Sequence, residues 1–512
     1  MSDAAASVAL NRFGLGGRPG DDPGGDPRRW LTAQLKRFEP RPASLDGVAT
    51  SMAVVTAIRD YREQARLLRA QFGPGKGAVP PGTTPAAPAM VPPPVGPMPV
   101  GPMPAGAAMP PMTPMPAPAA AAENDPLTQL RRDANEQARK SYVAMVGARA
   151  ATAVMSDTPF IERLVHFWAN HFAVSADNME MTALAGTLEF EAIRPHVLGR
   201  FGDMLDAVER HPAMLVYLNQ AESVGPNSPY ARRAAGRGRA PGLNENLARE
   251  ILELHTLGVR SGYSQADVTE FARALTGWTA AGMRGGRDDG SAPGSFRFVA
   301  ALHEPGDRML LGRRFAEAGE AQAAAVLDLV ATHPATARHI ATKLARHFAA
   351  DDPPPSLVAR LEKRFLETGG DLPSLYAVLI GAGECWAPAP AKFKTPWEWT
   401  ISAMRALGTD RVEAQPVQGL LVQLGQPVWK PGSPAGWDDV APSWAGPDAV
   451  MRRVEAAQRL AQRLRSPIDA RARAAALFPG ALGATSAQAI ARAESPAQAT
   501  ALMLVTPEFM RR

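Results

Sequence analysis

Apolar and polar residues alternate most regularly between residues 244 and 278, where the sequence is NENLAREILELHTLGVRSGYSQADVTEFARALTGW. At about 100° per residue, one side of the first predicted helix is polar and carries Asn246, Arg249, Glu250 and Glu253. The adjoining side is apolar and should face the core, with Leu243, Leu247, Ile251 and Leu254. A second helix should begin at Ser264, which can form a capping box with Asp267.

The polar stripe on the first of these helices has two interpretations. Arg249 can pair with Glu253, and Asn246 with Glu250, so the stripe can be a structural network that satisfies itself. Alternatively, two carboxylates, an arginine and an asparagine on one face can bind a metal ion or a polar substrate. His255 falls roughly opposite the carboxylates, so from an unbroken helix it cannot share a metal ion with them.

Helical patterns flank a segment of a different composition near the N-terminus. Residues 48–72 and 124–156 predict two helices, and residues 73–122 between them are rich in Pro, Gly, Ala and Met. Such a segment cannot bury enough apolar surface to offset the entropy of ordering it, which predicts a disordered insertion. We therefore expect an N-terminal helical part over 1–72, the insertion over 73–122, and a main helical domain over 123–512 that is continuous with 1–72.

From residue 159 to 278 the chain is predicted to be nearly all helix, apart from a loop at 225–242. Two short alternating stretches at 295–299 and 308–312 then predict one β-hairpin around a turn at 304–307. Further helices are predicted between about residues 319 and 504, interrupted by a Pro- and Trp-rich segment at 426–444. The expected fold class is mainly all-α, a large multi-helix domain with a short β-hairpin near residues 295–312.

Short motifs distributed along the chain are similar to those of one bacterial family. They are Asn-Arg-Phe-Gly at 11–14, Phe-Trp-Ala-Asn-His-Phe at 167–172, Arg-Pro-His at 194–196, His-Pro-Ala-Met-Leu at 211–215, the block at 244–278, residues 303–312, Lys-Thr-Pro at 394–396 and Pro-Ala-Gly-Trp at 434–437. On these motifs the chain resembles the domain-of-unknown-function 1800 family of uncharacterised bacterial proteins. The resemblance implies a fold but little chemistry. Members often lie beside genes for a sulfatase-like family, which implies a sulfatase-like protein as a partner.

Composition and charge narrow the class of protein. The content of 46% hydrophobic and 21% charged residues is typical of a soluble globular protein. A net charge of +5 over 512 residues, with no aromatic residues in the one dense basic loop at 231–239, argues against specific nucleic-acid binding. We expect no transmembrane segment, because no apolar run reaches about 18 residues. The N-terminus has no recognisable signal peptide, so a cytoplasmic location is the default expectation, with export left open.

Histidines supply the main candidates for chemistry. His166 and His171 stand five residues apart on one predicted helix, so their side chains point about 140° apart and do not form the i,i+4 pair of a metalloprotease helix. His171 lies on the shoulder of the apolar face, where it is either a half-buried histidine bonded to a neighbouring helix or a ligand or general base. His166 is expected on the surface. His303, next to Glu304 in the predicted turn, either pins that turn or acts as an acid–base or ligand group.

Two groups of residues are expected to have structural roles. His339 and His347 share a predicted helix with Lys343, and a charged surface is the default expectation for that helix. The C-terminal third concentrates five tryptophans, Trp397, Trp399, Trp429, Trp437 and Trp444. They are expected to pin Pro-rich loops to the core, with a sugar-stacking surface as the alternative. No G-x-S-x-G nucleophile motif is present.

Two function hypotheses follow from the sequence. In the first, the protein is a binding or assembly partner, with a sulfatase-like protein as its partner, and the polar stripe holds helices together. In the second, it is a metal-assisted hydrolase in which a divalent metal ion activates water. The residues assigned to the second hypothesis are His171, His303 and Glu250 as catalytic groups, Asn246 and Arg249 for substrate binding, and Glu250, Glu253 and His171 as metal ligands. Whether the chain is an enzyme stays open at this point.

Overall fold

The structure is a computed structural model that describes residues 3–73, 125–235, 242–283 and 290–512. It is 62% helical with 4% strand, which confirms the mainly all-α fold class. The predicted insertion at 73–122 lies outside the described residues, apart from Gly73. None of the described helices is both long enough and apolar enough to cross a membrane.

The described residues form 22 α-helices, most of which begin with a proline or a side-chain cap. The first eight are α1 (Asp3–Val8), α2 (Pro27–Gln34), α3 (Ser51–Phe72), α4 (Pro126–Met155), α5 (Pro159–His171), α6 (Met179–Leu188), α7 (Phe201–Glu209) and α8 (Pro212–Tyr217). The next seven are α9 (Pro229–Ala234), α10 (Asn246–Glu250), α11 (Gln265–Leu275), α12 (Glu320–Ala331), α13 (Pro334–Phe348), α14 (Pro355–Thr368) and α15 (Leu372–Gly381). The last seven are α16 (Pro396–Ala406), α17 (Ala414–Gln423), α18 (Pro447–Gln462), α19 (Ala470–Leu477), α20 (Ala484–Ala491), α21 (Pro496–Leu504) and α22 (Pro507–Met510).

The most regular part of the sequence forms the two expected helices, α10 and α11. Ser264 and Asp267 make the predicted capping box at the start of α11. The first helix differs from the prediction, because α10 is followed without a break by a π-helical turn, Ile251–His255. A π turn has more than 3.6 residues and rotates the side chains that follow it. His255 therefore lies fully buried in the core.

The β structure consists of two short antiparallel pairs and not the single predicted hairpin. Strand β1 (Trp278–Ala280) pairs with β2 (Phe296–Phe298), and β3 (Arg308–Leu310) pairs with β4 (Arg313–Phe315). The predicted pairing of 295–299 with 308–312 was therefore wrong. Leu311 and Gly312 both have positive φ, so the chain turns directly after β3 and returns as β4, whereas β2 pairs with the strand that follows α11.

The chain divides into two compact units, one of residues 1–59 and 137–512 and one of residues 60–136. The second unit contains parts of α3 and α4. The domain boundaries expected from the sequence stay a prediction, since the insertion on which they depend is not described.

Two clusters of buried apolar side chains form the core of the larger unit. The first is built around α5, which is buried along most of its length. Its Phe160 packs against Phe348 of α13 and Tyr376 of α15, and its Trp168 packs against Phe201 of α7. The second is formed by the C-terminal helices α18 to α22. Helix α16 contributes to both clusters, with Ile401 in the first and Trp399 in the second. The polar residues of α16 and α5 are consequently enclosed by protein.

Candidate functional site

The predicted polar stripe on α10 is tied to the neighbouring helix α11. Arg249 donates to Glu245 Oε2 and to Gln265 Oε1, both at 3.1 Å. Its guanidinium also lies 3.7 Å from Glu253, and the backbone N–H of Asn246 donates to Asn244 Oδ1 at 2.9 Å. These half-exposed contacts are those of a surface network, which usually adds little to stability.

Within the stripe, the Glu250 side chain is partly buried. Burial raises the pKa of Glu250, and the negative charge of Glu253 adds to the rise. Among the residues that the structure describes, no group of three or more His, Cys, Asp or Glu side chains is arranged to hold a metal ion. The assignment of His171, Glu250 and Glu253 as metal ligands stays a prediction, and no such grouping supports it.

His303 holds the turn before β3. Its Nδ1–H donates to the carbonyl of Thr276 at 2.9 Å, and its Nε2 lies 3.3 Å from Glu317. The adjacent Glu304 carboxylate accepts from the backbone and side-chain amides of Asn227 at 2.7 and 2.6 Å. The side chains of His303 and Glu304 are both buried and hydrogen-bonded, as expected of residues that pin a turn.

A cavity of about 350 Å³ lies beside α5. Its walls come from α4, α5, α13, α16 and a segment without helix at residues 426–440. Of the site residues predicted from sequence, His171 lines this cavity, and the others lie outside its lining, namely His303, Asn246, Arg249, Glu250 and Glu253. The structure therefore does not bring the predicted catalytic groups together around one cavity.

The wall formed by α13 contains a histidine held by a carboxylate. His347 Nδ1 lies 2.7 Å from Asp439 Oδ2. Burial pushes the pKa of Asp439 up, but His347, Arg512 and Lys392 outweigh burial and hold that pKa far below its usual range. Asp439 is therefore ionised, so Nδ1 of His347 carries the proton. Nε2 of His347 is buried and has no hydrogen-bond partner within the described part of the chain.

One turn earlier on α13, Lys343 contacts His171. The ammonium of Lys343 donates to His171 Nδ1 at 2.9 Å, and His171 Nε2–H donates to the carbonyl of His255 at 3.0 Å. Burial lowers the pKa of Lys343 to about 8, while Asp439 opposes the shift. Burial, followed by the charge of Lys343, holds the pKa of His171 well below its ordinary value. His171 is therefore a neutral acceptor for the lysine, bonded to a neighbouring helix.

Helix α4 contributes an arginine packed on tryptophans. The Nε atom of Arg149 lies 2.9 Å from Glu189 Oε1. Its guanidinium carbon lies 4.1 Å from the centre of the Trp397 ring and 5.4 Å from that of Trp429. Both contacts are favourable cation–π distances. No hydrogen bond joins the two terminal nitrogens of Arg149 to another described residue.

His166 lies between this arginine and α16. Trp397 Nε1–H donates to His166 Nδ1 at 3.1 Å. Burial and the nearby charge of Arg149 hold the pKa of His166 well below its ordinary value, so the ring is neutral. A neutral imidazole whose Nδ1 accepts must carry its proton on Nε2, and that atom is buried with no partner among residues 3–73, 125–235, 242–283 and 290–512. The expectation that His166 lies on the surface was wrong.

An ionic network forms the deep side of the site. Glu398 on α16 binds both Arg163 of α5 and the Nε of Arg512, the latter at 2.8 Å. Arg512 also lies 3.4 Å from Asp439. Burial pushes the pKa of Glu398 up, but Arg512 and Arg163 hold it well below its usual range. Glu398 and Asp439 are therefore ionised at neutral pH, and the part of the network formed by Arg163, Glu398 and Arg512 is almost fully buried.

The segment at 426–440 is fixed to α5 and α16 by its backbone. The Asn170 amide donates to the carbonyl of Trp437 at 2.8 Å, and its oxygen accepts from the Trp437 backbone N–H at 2.7 Å. Trp429 has a φ of 47°, which is strained for a bulky residue. Its indole N–H donates to Glu189 at 2.8 Å. Strain held in place by surrounding contacts is characteristic of functional sites.

A comparison of the sequence with models of known protein families identifies one match. A family model described as a protein of unknown function (DUF1800) matches residues 8–511. The chain belongs to the DUF1800 family. No curated protein matches this DUF1800 chain, and no solved structure does so either.

Three of the motifs that carry the DUF1800 resemblance line the cavity, those at 167–172, 394–396 and 434–437. Sequence reasoning missed most of the site in this DUF1800 protein. It predicted that Lys343 and His347 lie on a charged surface, and it assigned no role to Arg149 or Asp439. The two consecutive aspartates beside the 434–437 motif were the one local signal for a carboxylate at this place.

Proposed function

We propose that this DUF1800 protein is an enzyme in which His347 acts as a general base on a small molecule held in the cavity. The observation that carries the proposal is the free Nε2 atom of His347, buried in the cavity wall while Asp439 holds the other ring nitrogen at 2.7 Å. A general base needs an unprotonated atom, a partner that fixes its tautomer and space for a reactant. His347 has the first two, and it lines a cavity of about 350 Å³ that offers space for a reactant.

The electrostatics around His347 agree with this role. Burial lowers the pKa of His347 to about 4, and Asp439 opposes part of that shift. The ring is therefore neutral at pH 7, and Nε2 can accept a proton. Arg512 also lowers the pKa. A bound anion would offset such positive charge and raise the pKa toward the range in which a general base is most effective.

The proton that His347 removes comes from water or from the substrate itself. None of the described residues that line the cavity is a serine or a cysteine. Thr395 supplies a hydroxyl, but it is the N-cap of α16 and accepts the backbone N–H of Glu398 at 3.2 Å. A covalent mechanism through a serine or cysteine nucleophile is therefore not available within the described lining. Hydrolysis by activated water and proton abstraction from a bound molecule are the two reactions that fit.

The two hypotheses drawn from the sequence stay predictions. The metal-assisted hydrolase shares water activation with the present proposal but places the chemistry at His171, His303, Glu250 and Glu253, of which only His171 lines the cavity. The assembly hypothesis, with a sulfatase-like partner, involves surfaces that the cavity does not include. The His347–Asp439 dyad favours an enzyme that works from the cavity, because neither an assembly surface nor a metal site at Glu250 and Glu253 requires a histidine held at the cavity wall.

Replacement of His347 tests the proposal. We expect wild-type protein to consume at least one low-molecular-mass compound from a cellular metabolite extract, as followed by mass spectrometry. His347→Asn should slow that consumption about 10²–10⁴-fold, the usual contribution of a general base. The Asn amide can still donate to Asp439, so the carboxylate keeps a donor at this position.

His333→Asn is the matched control on the same helix. His333 is the N-cap of α13, where its Nδ1 accepts from the Ala335 N–H at 3.1 Å, and asparagine is a good N-cap. The control should consume the same compound at the wild-type rate. The proposal fails if wild-type protein consumes nothing from the extract, or if His347→Asn is as fast as wild type.

A further inference from the structure

We infer that Arg149 and His166 form a subsite for an oxyanion group, a carboxylate, sulfate or phosphate, carried by the ligand of the cavity. The inference deepens the proposed function by naming the substrate class, and it depends on that function only in taking the bound anion to be the substrate. The geometry points to an oxyanion because both residues offer N–H donors and no acceptor, and both line the same cavity.

The guanidinium of Arg149 is oriented but only partly engaged. Glu189 holds its Nε at 2.9 Å, and Trp397 supports it from 4.1 Å. These contacts leave the two terminal nitrogens without a hydrogen bond to any described residue. Paired terminal N–H groups of an oriented arginine match two oxygens of a carboxylate, sulfate or phosphate. The fixed orientation lowers the entropy cost of binding such a group.

His166 adds a donor that has no other evident use. Its Nδ1 is occupied by the indole N–H of Trp397 at 3.1 Å, so its proton is on Nε2. That Nε2–H is buried and has no partner in the described part of the molecule. Leaving a buried donor without a hydrogen bond destabilises the fold. An oxyanion bound between His166 and Arg149 would remove that destabilisation.

The balance of charge in the lining is also favourable to an anion. Four cationic and three anionic side chains line the cavity, namely Arg149, Arg163, Lys343 and Arg346, and Glu398, Asp438 and Asp439. Glu398 is already shared by Arg163 and Arg512, and Asp439 by Lys392 and Arg512. Lys343 has no carboxylate within 4.0 Å among the described residues and contacts neutral His171 instead. Arg346 and Asp438 have no ion pair among the described residues either, so the unneutralised charges of the lining are two positive and one negative, a net positive balance.

The competing interpretation is that Arg149 only braces the wall. In that case its contacts with Glu189 and the tryptophans would be its whole role, and replacing it would lower stability without affecting any ligand. The two interpretations differ in anion binding, which can be measured without turnover.

Intrinsic tryptophan fluorescence is a suitable probe, because Arg149 lies over the rings of Trp397 and Trp429. Wild-type protein is titrated with sodium sulfate, sodium phosphate and sodium acetate, each against sodium chloride at the same ionic strength. We expect a saturable change with at least one of the three, and their order of affinity identifies the preferred group. Arg149→Lys keeps the charge beside Glu189 but loses the paired terminal donors, so its Kd should rise at least about tenfold.

Arg210→Lys is the matched control. Arg210 lies 4.6 Å from the ring centre of Trp278 and binds Asp206 and Glu320, but it does not line the cavity. Its Kd for the anion should equal that of the wild type. His166→Leu removes the second donor and should weaken binding several-fold, which decides the question if circular dichroism shows that Arg149→Lys does not fold.

The inference is overturned if no salt gives a saturable change beyond that of chloride, or if folded Arg149→Lys or His166→Leu binds as tightly as wild type. Its failure can be told apart from failure of the proposed function. Anion binding that requires Arg149, with metabolite consumption unaffected by His347→Asn, would retain the subsite and reject the base. Metabolite consumption that requires His347, without any anion binding, would retain the general base and reject the subsite.

Discussion

Buried charge without a matching partner stands out among the single residues around the site. Lys394 precedes α16 and is fully buried. Its Nζ has no hydrogen-bond partner within the described residues and lies 4.6 Å from the ring centre of Phe509. Burial lowers the pKa of Lys394 to about 7 from an ordinary value of 10.5. The side chain is therefore close to losing its proton at neutral pH.

The lowered pKa of Lys394 has a consequence for stability. Because the folded value of about 7 lies below the ordinary 10.5, the unfolded chain binds more protons than the folded chain between these two values. The free energy of unfolding should therefore rise as pH increases through that window. Lys394→Met should raise this free energy by about 1–3 kcal/mol at pH 6 and make the rise between pH 7 and 10 shallower.

Thermal or urea unfolding of wild type and Lys394→Met at pH 6, 8 and 10 measures both effects. Lys363→Met is a suitable control, since the Lys363 side chain is 77% exposed on α14. It should leave the pH profile unchanged. Parallel profiles for wild type and Lys394→Met would show that Lys394 is not the group that titrates.

Individual residues also show why the site was hard to predict. His171 could be placed beside the core from the periodicity of its own helix, and it does line the cavity. His347 was expected on a charged surface, because the helix wheel of α13 shows its polar face but not what covers that face. The cover is Asp439, which is 92 residues away in sequence. Local periodicity contains no information about a contact at that separation.

At the level of elements, periodicity predicted the positions of most helices well, but it predicted the local helix geometry and the strand pairing less well. The helices and the capping box at Ser264 follow from local spacing and caps, and the structure has them. The turn at 251–255 is π-helical, and no propensity distinguishes a π turn from an α turn in one sequence. Strand pairing failed for a similar reason, since the partner of β2 comes before it in the chain, at 278–280, and was not among the predicted strands.

The segment at 426–440 positions Asp439 and depends on one glycine. Gly436 has a φ of 80°, and a Cβ at this position would lie 2.3 Å from the backbone oxygen of Asn170. Asn170 is also the residue that bonds both backbone groups of Trp437. The close approach that these two hydrogen bonds require therefore leaves no room for a side chain.

Gly436→Ala should lower the free energy of unfolding by about 2–4 kcal/mol, from backbone strain and the clash together. Gly432→Ala isolates the strain, because Gly432 has a φ of 75° with open space around its Cβ position. That control should lose only about 1–2 kcal/mol. Urea unfolding compares the two variants. Equal losses would mean that the segment moves away from Asn170 without cost.

Viewed as a whole molecule, the protein joins distant parts of its chain through the ionic network. Arg163, Glu398 and Arg512 come from the first third, the last third and the final residue of the chain. The backbone of Arg512 also pairs with Lys392 in both directions, at 2.9 and 3.2 Å. The network thus links α5, α16 and the C-terminal segment. Such buried pairs add little net stability when complete but cost much when one partner is removed.

Arg512→Met should therefore lower the free energy of unfolding by about 3–5 kcal/mol. Its neighbour Arg511 is exposed and rests on Phe393 at 5.8 Å, so Arg511→Met is the control and should lose at most about 1 kcal/mol.

The pH dependence separates charge from packing. Glu398 and Asp439 have pKa values below their ordinary 4.5 and 3.8, so their contribution is present above those values and is lost as pH falls through the lower folded-state values. Without Arg512 the folded-state pKa values rise, and acid unfolding should begin at a higher pH. If Arg512→Met is less stable but its acid transition coincides with that of wild type, Arg512 acts through packing alone and the network does not set the charge state of the site.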